Sequence, residues 1–395
     1  MTNDKLAFKN NIRNATLLLG STMTVMAGAA IAPAIPQISL AFENIDNNEF
    51  IAKLLLTIPA LVIGISAPFC GIILDKYGRK NILIFSMVLY GIAGSLGFFL
   101  DNLIAILASR IFLGIGAAGV MTGFTTLIGD YFKGHKLNIF MGYQSAFMAL
   151  GGVVFLFFSG ILADISWNSP FLVYSFAFIV IPFAIYSIYE PEIISNKTDS
   201  VHQEEPLPIK NLGIIYSITF ISWVVLYMIP VIFPFHLKPL CNVTNTHVGI
   251  AMSSLVLFAA ITSMFYDKIK TLFSYHTIFI FSFVLIGTGY ILIALTQTYY
   301  FVFPGMLITG IGQGLLFPNL GVWLINIAPE NVRGRAIGGM TTCVFIGQFS
   351  CPILTAPIIK TFGNSDSFIF AGLLMIILGI LFFIRSLFTK TSSSN

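Results

Sequence analysis

The chain has 395 residues, 57% of them hydrophobic and only 9% charged, with a mean hydropathy of +0.91. Soluble domains carry about 25% charged residues. Sixteen acids and twenty bases cannot cover a globule of 43.3 kDa in water, which excludes a soluble enzyme, a nucleic-acid-binding module and a disordered chain. The net charge of +4 does not argue for nucleic acid, and Cys70, Cys241, Cys343 and Cys351 form neither a disulfide framework nor a metal-type pair.

A helix needs about 20 apolar residues to cross the hydrocarbon core. Six such runs begin near Asn14, Phe50, Ile82, Leu103, Asn138 and Pro170, and six more near Asn211, Val248, Leu272, Phe301, Ala336 and Phe368. The runs are continuous rather than alternating, which selects helices over a β-barrel. The first is too long, and too weakly followed by a cleavage site, to be a removed signal peptide, so it reads as the first span. Between the sixth and seventh lies the polar stretch 191–210, the expected cytoplasmic linker between an N-terminal bundle 1–190 and a C-terminal bundle 211–395 with a short Ser-rich tail. With the N-terminus in the cytoplasm, 16 bases fall on that side and only Lys53, Lys238 and Lys360 outside. The asymmetry predicts two cytoplasmic termini. The remaining base, Arg110, lies within the fourth span.

The two halves echo each other. Gly114-Ile115-Gly116 recurs as Gly310-Ile311-Gly312, Gly142 and Gly151 recur as Gly338 and Gly347, and Asp75-Lys76 as Asp267-Lys268. Recurrence at a near-constant spacing signals duplication. Parallel repeats of this kind mark transporters whose site lies between the halves near mid-membrane.

Between the second and third spans the chain reads Gly71-Ile-Ile-Leu-Asp75-Lys76-Tyr77-Gly78-Arg79-Lys80. This resembles the signature G-x-x-x-D-[RK]-x-G-[RK]-[RK] of the major facilitator superfamily, and the twelve spans, linker and repeat extend the resemblance over the whole chain. It implies an all-α membrane fold of two pseudo-symmetric six-helix bundles. It also implies that Gly71, Asp75, Lys76, Gly78, Arg79 and Lys80 form a conformational latch, Asp75 engaging the start of helix eleven near Ala336. Physically, Gly78 suits a tight turn and Asp75 a helix N-terminus. Arg110-x-x-x-Gly114-x-Gly116 resembles a second superfamily element, whose arginine is implicated in proton coupling. Arg110 lies roughly 12 Å into the membrane by helical rise, where a charge is costly and marks a functional candidate; snorkelling toward Asp101 is the competing reading. The helix-five element of drug:proton antiporters, G-x8-G-x3-G-P-x2-G-G, is matched in part: Gly142 and Gly151 fit, Phe155 and Leu156 stand where Gly and Pro belong, and Ser159-Gly160 replaces the final pair.

None of the sixteen acids falls mid-span, and His236 and His247 are expected outside. The intramembrane charge is thus Arg110, which favours a substrate with a carboxylate or phosphate. Phe124, Gln144, Phe147, Trp223, Tyr227, Gln313, Phe317, Asn319, Trp323 and Gln348 lie at plausible depth to line a cavity, a lining suited to an amphipathic solute. No P-loop, metal cluster or catalytic constellation appears, so neither ATP-driven transport nor a membrane enzyme is expected. The expectation is a monomeric secondary transporter in the lipid bilayer of the cytoplasmic (inner) membrane, needing no cofactor beyond a proton gradient. It would drive efflux of an anionic or zwitterionic small organic solute, such as a siderophore-like metabolite, or of a drug. A nutrient importer or facilitator is the alternative, and a membrane-embedded enzyme or sensor the remote one.

Overall fold

The computed structural model describes residues 3–191, 209–329 and 332–391, and within these all side chains but those of 3–7, 209–210, 241 and 385–391. The chain divides into two compact units, Met1–Ser200 and Val201–Asn395. Their boundary falls inside the expected linker, of which 192–208 lie outside the described residues.

In unit 1, α1 (Asn3–Ala29) passes through a 3-10 turn at Ala32–Ala34 into α2 (Ile35–Ala41). Pro33 and Pro36 supply no amide hydrogen, so the helix cannot run on unbroken. The helix α3 (Asn48–Tyr77) turns at Gly78, whose φ is +94°, into α4 (Arg79–Ser95). Next, α5 (Leu103–Tyr131) starts on the Asn102 side-chain oxygen, which accepts from the amides of Ile104 (2.9 Å) and Ala105 (3.2 Å). After α6 (Gly134–Ile165), a 3-10 turn at Ser169–Ser175 leads into α7 (Phe176–Ser187).

In unit 2, α8 (Ile209–Leu226) breaks at Tyr227 before α9 (Met228–Cys241), with Pro230 three residues on. Then come α10 (Asn245–Met264), the short α11 (Tyr266–Leu272), α12 (Tyr275–Ala294), α13 (Val302–Ile327) and α14 (Arg333–Thr391). The last is interrupted at Gly363 (φ 87°, ψ 179°) and makes two crossings. Eleven stretches are long and apolar enough to span a membrane, and this interruption supplies the twelfth crossing. Among the described residues there is no strand.

Several span starts move from their expected places. The first apolar stretch begins at Phe8, the third at Arg79, and the last crossing follows Gly363 rather than starting at Phe368. Leu272 belongs to the separate α11, and the ninth span starts at Tyr275. Polar residues at these ends stay helical because backbone bonding, not hydropathy, sets the limit.

The repeat is visible in the packing. In unit 1, α5 lies against α3 and α4, and α1 against α6; in unit 2, α13 lies against α10 and α12, and α8 against α14. A Cβ on Gly116 would come within 2.7 Å of the Tyr90 amide nitrogen, and one on Gly312 within 2.8 Å of the Ser282 carbonyl. Small residues let membrane helices approach at such points. A fully buried tyrosine crosses each unit at matching places: the Tyr90 hydroxyl donates to Met23 O on α1 (2.8 Å), and that of Tyr290 to Val225 O on α8 (2.6 Å).

Candidate functional site

The signature turn is built around one carboxylate. Glu190, just past α7, accepts from the first two amides of α4, Arg79 N (2.6 Å) and Lys80 N (2.8 Å). A helix N-terminus has unpaired amides and favours an anion. A Cβ on Gly78 would meet this carboxylate at 3.2 Å, so glycine is required there for space as well as for φ. Lys80 Nζ donates to Ile185 O (2.8 Å). Arg79, nearly buried, is paired with Asp75 (3.3 Å) and with Asp130 on α5. Lys76 Nζ lies 5.2 Å from the Tyr77 ring centre, and Gly71 has only the Thr122 methyl near its missing Cβ, at 3.9 Å. Asp75 remains exposed. Glu190 is absent from the sequence-derived latch; it sits more than a hundred residues away in the chain and carries no motif.

Arg110 is 0% exposed. Its Nη2 donates to the carbonyls of Ala93 (3.0 Å) and Gly94 (2.7 Å) at the end of α4, and the guanidinium lies over the rings of Phe171 (4.8 Å) and Tyr174 (5.1 Å). The cation thus meets carbonyls of the last turn of α4, at the negative end of its dipole. Carbonyls and aromatic faces of unit 1 surround the charge, while Nη1 has no hydrogen-bond partner among the described residues. Its hydrogen bonds go to Ser109, Ala93 and Gly94 rather than to Asp101.

The ten candidate lining residues separate. Phe124 is fully buried, its ring filling the space a Cβ on Gly20 would need, and Gln144 Nε2 donates to Ser21 Oγ (3.0 Å), so both tie α1 to its neighbours. Phe147, three residues beyond Gln144, is half-buried. Asn319 is fully buried: its amide donates to Tyr275 O (2.9 Å) and its carbonyl accepts from the Tyr266 hydroxyl (3.0 Å). Burial pushes the Tyr266 phenol above its ordinary value, and neighbouring Asp267 adds to this. Trp323 is buried among Phe279 (5.3 Å) and Phe382 (6.0 Å). Asn319 and Trp323 thus pack against neighbouring helices inside unit 2.

Two candidates do come together in unit 2. The rings of Trp223 and Phe317 lie 4.7 Å apart at 30°. Gln313 is one turn from Phe317 on α13, and Gln348 follows Gly347, whose missing Cβ would lie 2.9 Å from the Trp223 Cβ. The Trp223 indole N–H has no partner among the described residues. Tyr227, at the break one turn further on, is buried.

His236 also departs from expectation. It is 3% exposed within α9, its Nε2 3.1 Å from Ile293 O and its ring 5.4 Å from that of Phe368. The helix continues through Pro234 and Pro239 to Cys241, which keeps His236 inside it.

Twelve crossings in two repeated halves define the class of carriers for small solutes. The chain belongs to the Major Facilitator Superfamily, whose model matches residues 17–217 and 215–394, and it is a multipass membrane transporter, not an enzyme. It is 24% identical to an uncharacterized MFS-type transporter of Methanocaldococcus jannaschii, over 94% of this chain and 98% of that protein. It is 25% identical to the quinolone resistance protein NorA of Staphylococcus aureus, over 82% and 84% of the two chains. Its fold is similar to those of a D-xylose-proton symporter (TM-score 0.76, 14% identity, 94% and 96% covered) and of a bacterial homologue of the human lysosomal transporter Spinster (TM-score 0.79, 15% identity, 95% and 97% covered).

Proposed function

We propose that this transporter drives proton-coupled efflux of small amphipathic solutes with an aromatic body and an anionic or zwitterionic group, whether drug or siderophore-like metabolite. It acts as a monomer in the cytoplasmic membrane, with both termini in the cytoplasm. The Trp223–Phe317 pair, with Gln313 and Gln348 beside it, carries the reading. A planar solute gains from stacking there, and the unpartnered indole N–H and the two amides offer a few directed hydrogen bonds. Arg110, held by Ala93 and Gly94, supports stacking rather than charge pairing as the main source of affinity. The likeness to a quinolone resistance protein supports efflux of such a solute. The exposed Asp75 serves as the latch, with Arg79, Lys80, Lys76 and the glycines 71 and 78 shaping its turn.

The test is efflux of two fluoroquinolones, both zwitterionic near neutral pH, from cells expressing the chain. Accumulation is expected to fall severalfold against an empty vector, to recover on adding an uncoupler, and to recover likewise in Trp223→Ala. Unchanged accumulation of both compounds would overturn the reading. Uptake of a nutrient is the second reading, favoured by the lack of a mid-span carboxylate. Solute depleted inside deletion cells and left in the medium would support it.

A further inference from the structure

Tyr90 and Tyr290 occupy matching places in the two repeats, and three and four residues beyond each lie the last carbonyls of α4 and α12. In unit 1, Arg110 takes those of Ala93 and Gly94. In unit 2, His236 Nε2 lies 3.1 Å from Ile293 O, and Ser365 Oγ donates to Ala294 O (3.2 Å). The aromatic surroundings repeat too. Tyr174 packs on Tyr90 (5.7 Å) and faces Arg110, while Phe368 packs on Tyr290 (5.6 Å) and on His236. Carbonyl oxygens and an aromatic face are what a buried cation needs. Unit 1 holds a permanent cation at this spot, and unit 2 holds in the same kind of pocket a side chain whose charge can change near neutrality.

We propose that His236 carries the proton that couples this transporter to the proton gradient. The inference rests on the proton-coupled reading above. A carbonyl only accepts, so the Nε2 nitrogen bears hydrogen in the neutral ring and Nδ1 offers the lone pair. Nδ1 takes a proton from the side that the Lys/Arg asymmetry places outside, forming the imidazolium. It returns that proton to water on the inner side, while Nε2–H stays on Ile293. Other charged or titratable groups nearby are already committed or lie apart. On α9, Lys238 Nζ donates to Asn245 Oδ1 on α10 (2.7 Å), and on α10 His247 Nδ1 is 2.8 Å from Thr244 Oγ1. On α12 the Tyr290 hydroxyl is bonded to α8, where Tyr227 is buried at the break. On α14, Asp366 is exposed.

The first measurement is a 15N-histidine NMR titration of the full chain in lipid nanodiscs. The five histidines are assigned by single replacement with Gln, and by elimination if His236→Gln does not fold. His236 is expected to pass from the Nε2–H tautomer to imidazolium between about pH 5 and 8. A ring that stays neutral, or stays charged, from pH 5 to 9 overturns the proposal whether or not any solute is moved. The second uses a fluorescent zwitterionic fluoroquinolone in proteoliposomes under an imposed pH difference. His236→Gln keeps a neutral donor for Ile293, and His236→Arg copies unit 1; both are expected to lose about tenfold or more of gradient-driven movement and to keep fluoroquinolone exchange within about twofold. Gradient-driven movement kept by His236→Gln overturns the proposal. Wild-type movement indifferent to the gradient would instead sink the proton-coupled reading, a separate failure that the titration does not share.

Discussion

Glu190 illustrates how much one side chain can hold. Its carboxylate satisfies two amides that α4 cannot pair for itself, and it sits where Gly78 leaves room. Glu190→Ala is expected to cost about 1–2 kcal/mol, the usual worth of a charged cap. Thermal unfolding in detergent would register it, and Glu190→Gln should recover only part. Asn319 gives a second case at this scale, with a pH dependence. The Tyr266 phenol is raised in the folded chain, so its contribution is complete below the ordinary tyrosine value, about 10, and is lost as pH rises through the folded value. Raising the pH toward 11 should therefore lower the unfolding temperature more in the wild type than in Tyr266→Phe; equal slopes would dismiss the link. At neutral pH, Tyr266→Phe leaves the buried Asn319 carbonyl unpaired, and a loss of about 1 kcal/mol is expected.

Among the elements, the close crossings are the sensitive places. Gly116→Val would drive a branched side chain into the backbone of α4 at Tyr90, and Gly312→Val into α12 at Ser282. Neither backbone can yield without losing its own bonds. Both variants should accumulate poorly in the membrane, as measured by detergent-extracted monodisperse protein, whereas Gly142→Ala, with nothing near its Cβ, should accumulate normally. The same comparison explains what could be read in advance. Glycine recurrence and apolar runs are local in the chain, so helices, repeat and signature turn were legible. The span ends at Tyr275 and Gly363 were not, because capping geometry rather than hydropathy places them. Nor were the partners of Arg110, Gln144 and Asn319: depth along a helix follows from residue number, but the direction a side chain faces depends on which neighbour packs there. Trp223 and Phe317, two of the ten candidate lining residues, could be paired only once α8 and α13 were seen side by side.

For the molecule as a whole, the polar bonds that cross between helices are distributed alike in the two units but made with different chemistry. Unit 1 closes the end of α4 with a fixed charge, and unit 2 closes the end of α12 with a histidine and a serine. Substituting the fixed charge should therefore harm folding before it harms selectivity. Arg110→Lys removes the guanidinium plane that lies over the Phe171 and Tyr174 rings, and is expected to lower protein yield and unfolding temperature. Whatever Arg110→Lys protein survives should leave the preference among anionic and neutral solutes unchanged in competition assays. A switched preference with normal stability would restore Arg110 to the substrate site.

The stacked indole of Trp223 also makes the transporter its own optical reporter. The chain has three tryptophans. Trp167 packs on Phe42 and Trp323 among the rings of α12 and α14, so both can be exchanged for phenylalanine while aromatic contact is kept. In that background all indole emission comes from mid-span, from a ring whose N–H is unpaired. A solute that slides over the Trp223 face would quench it or shift its colour, and one that bonds the N–H would shift it further toward the red. Libraries of unlabelled compounds could then be ranked by light alone, with no transport assay and no prior guess at the cargo.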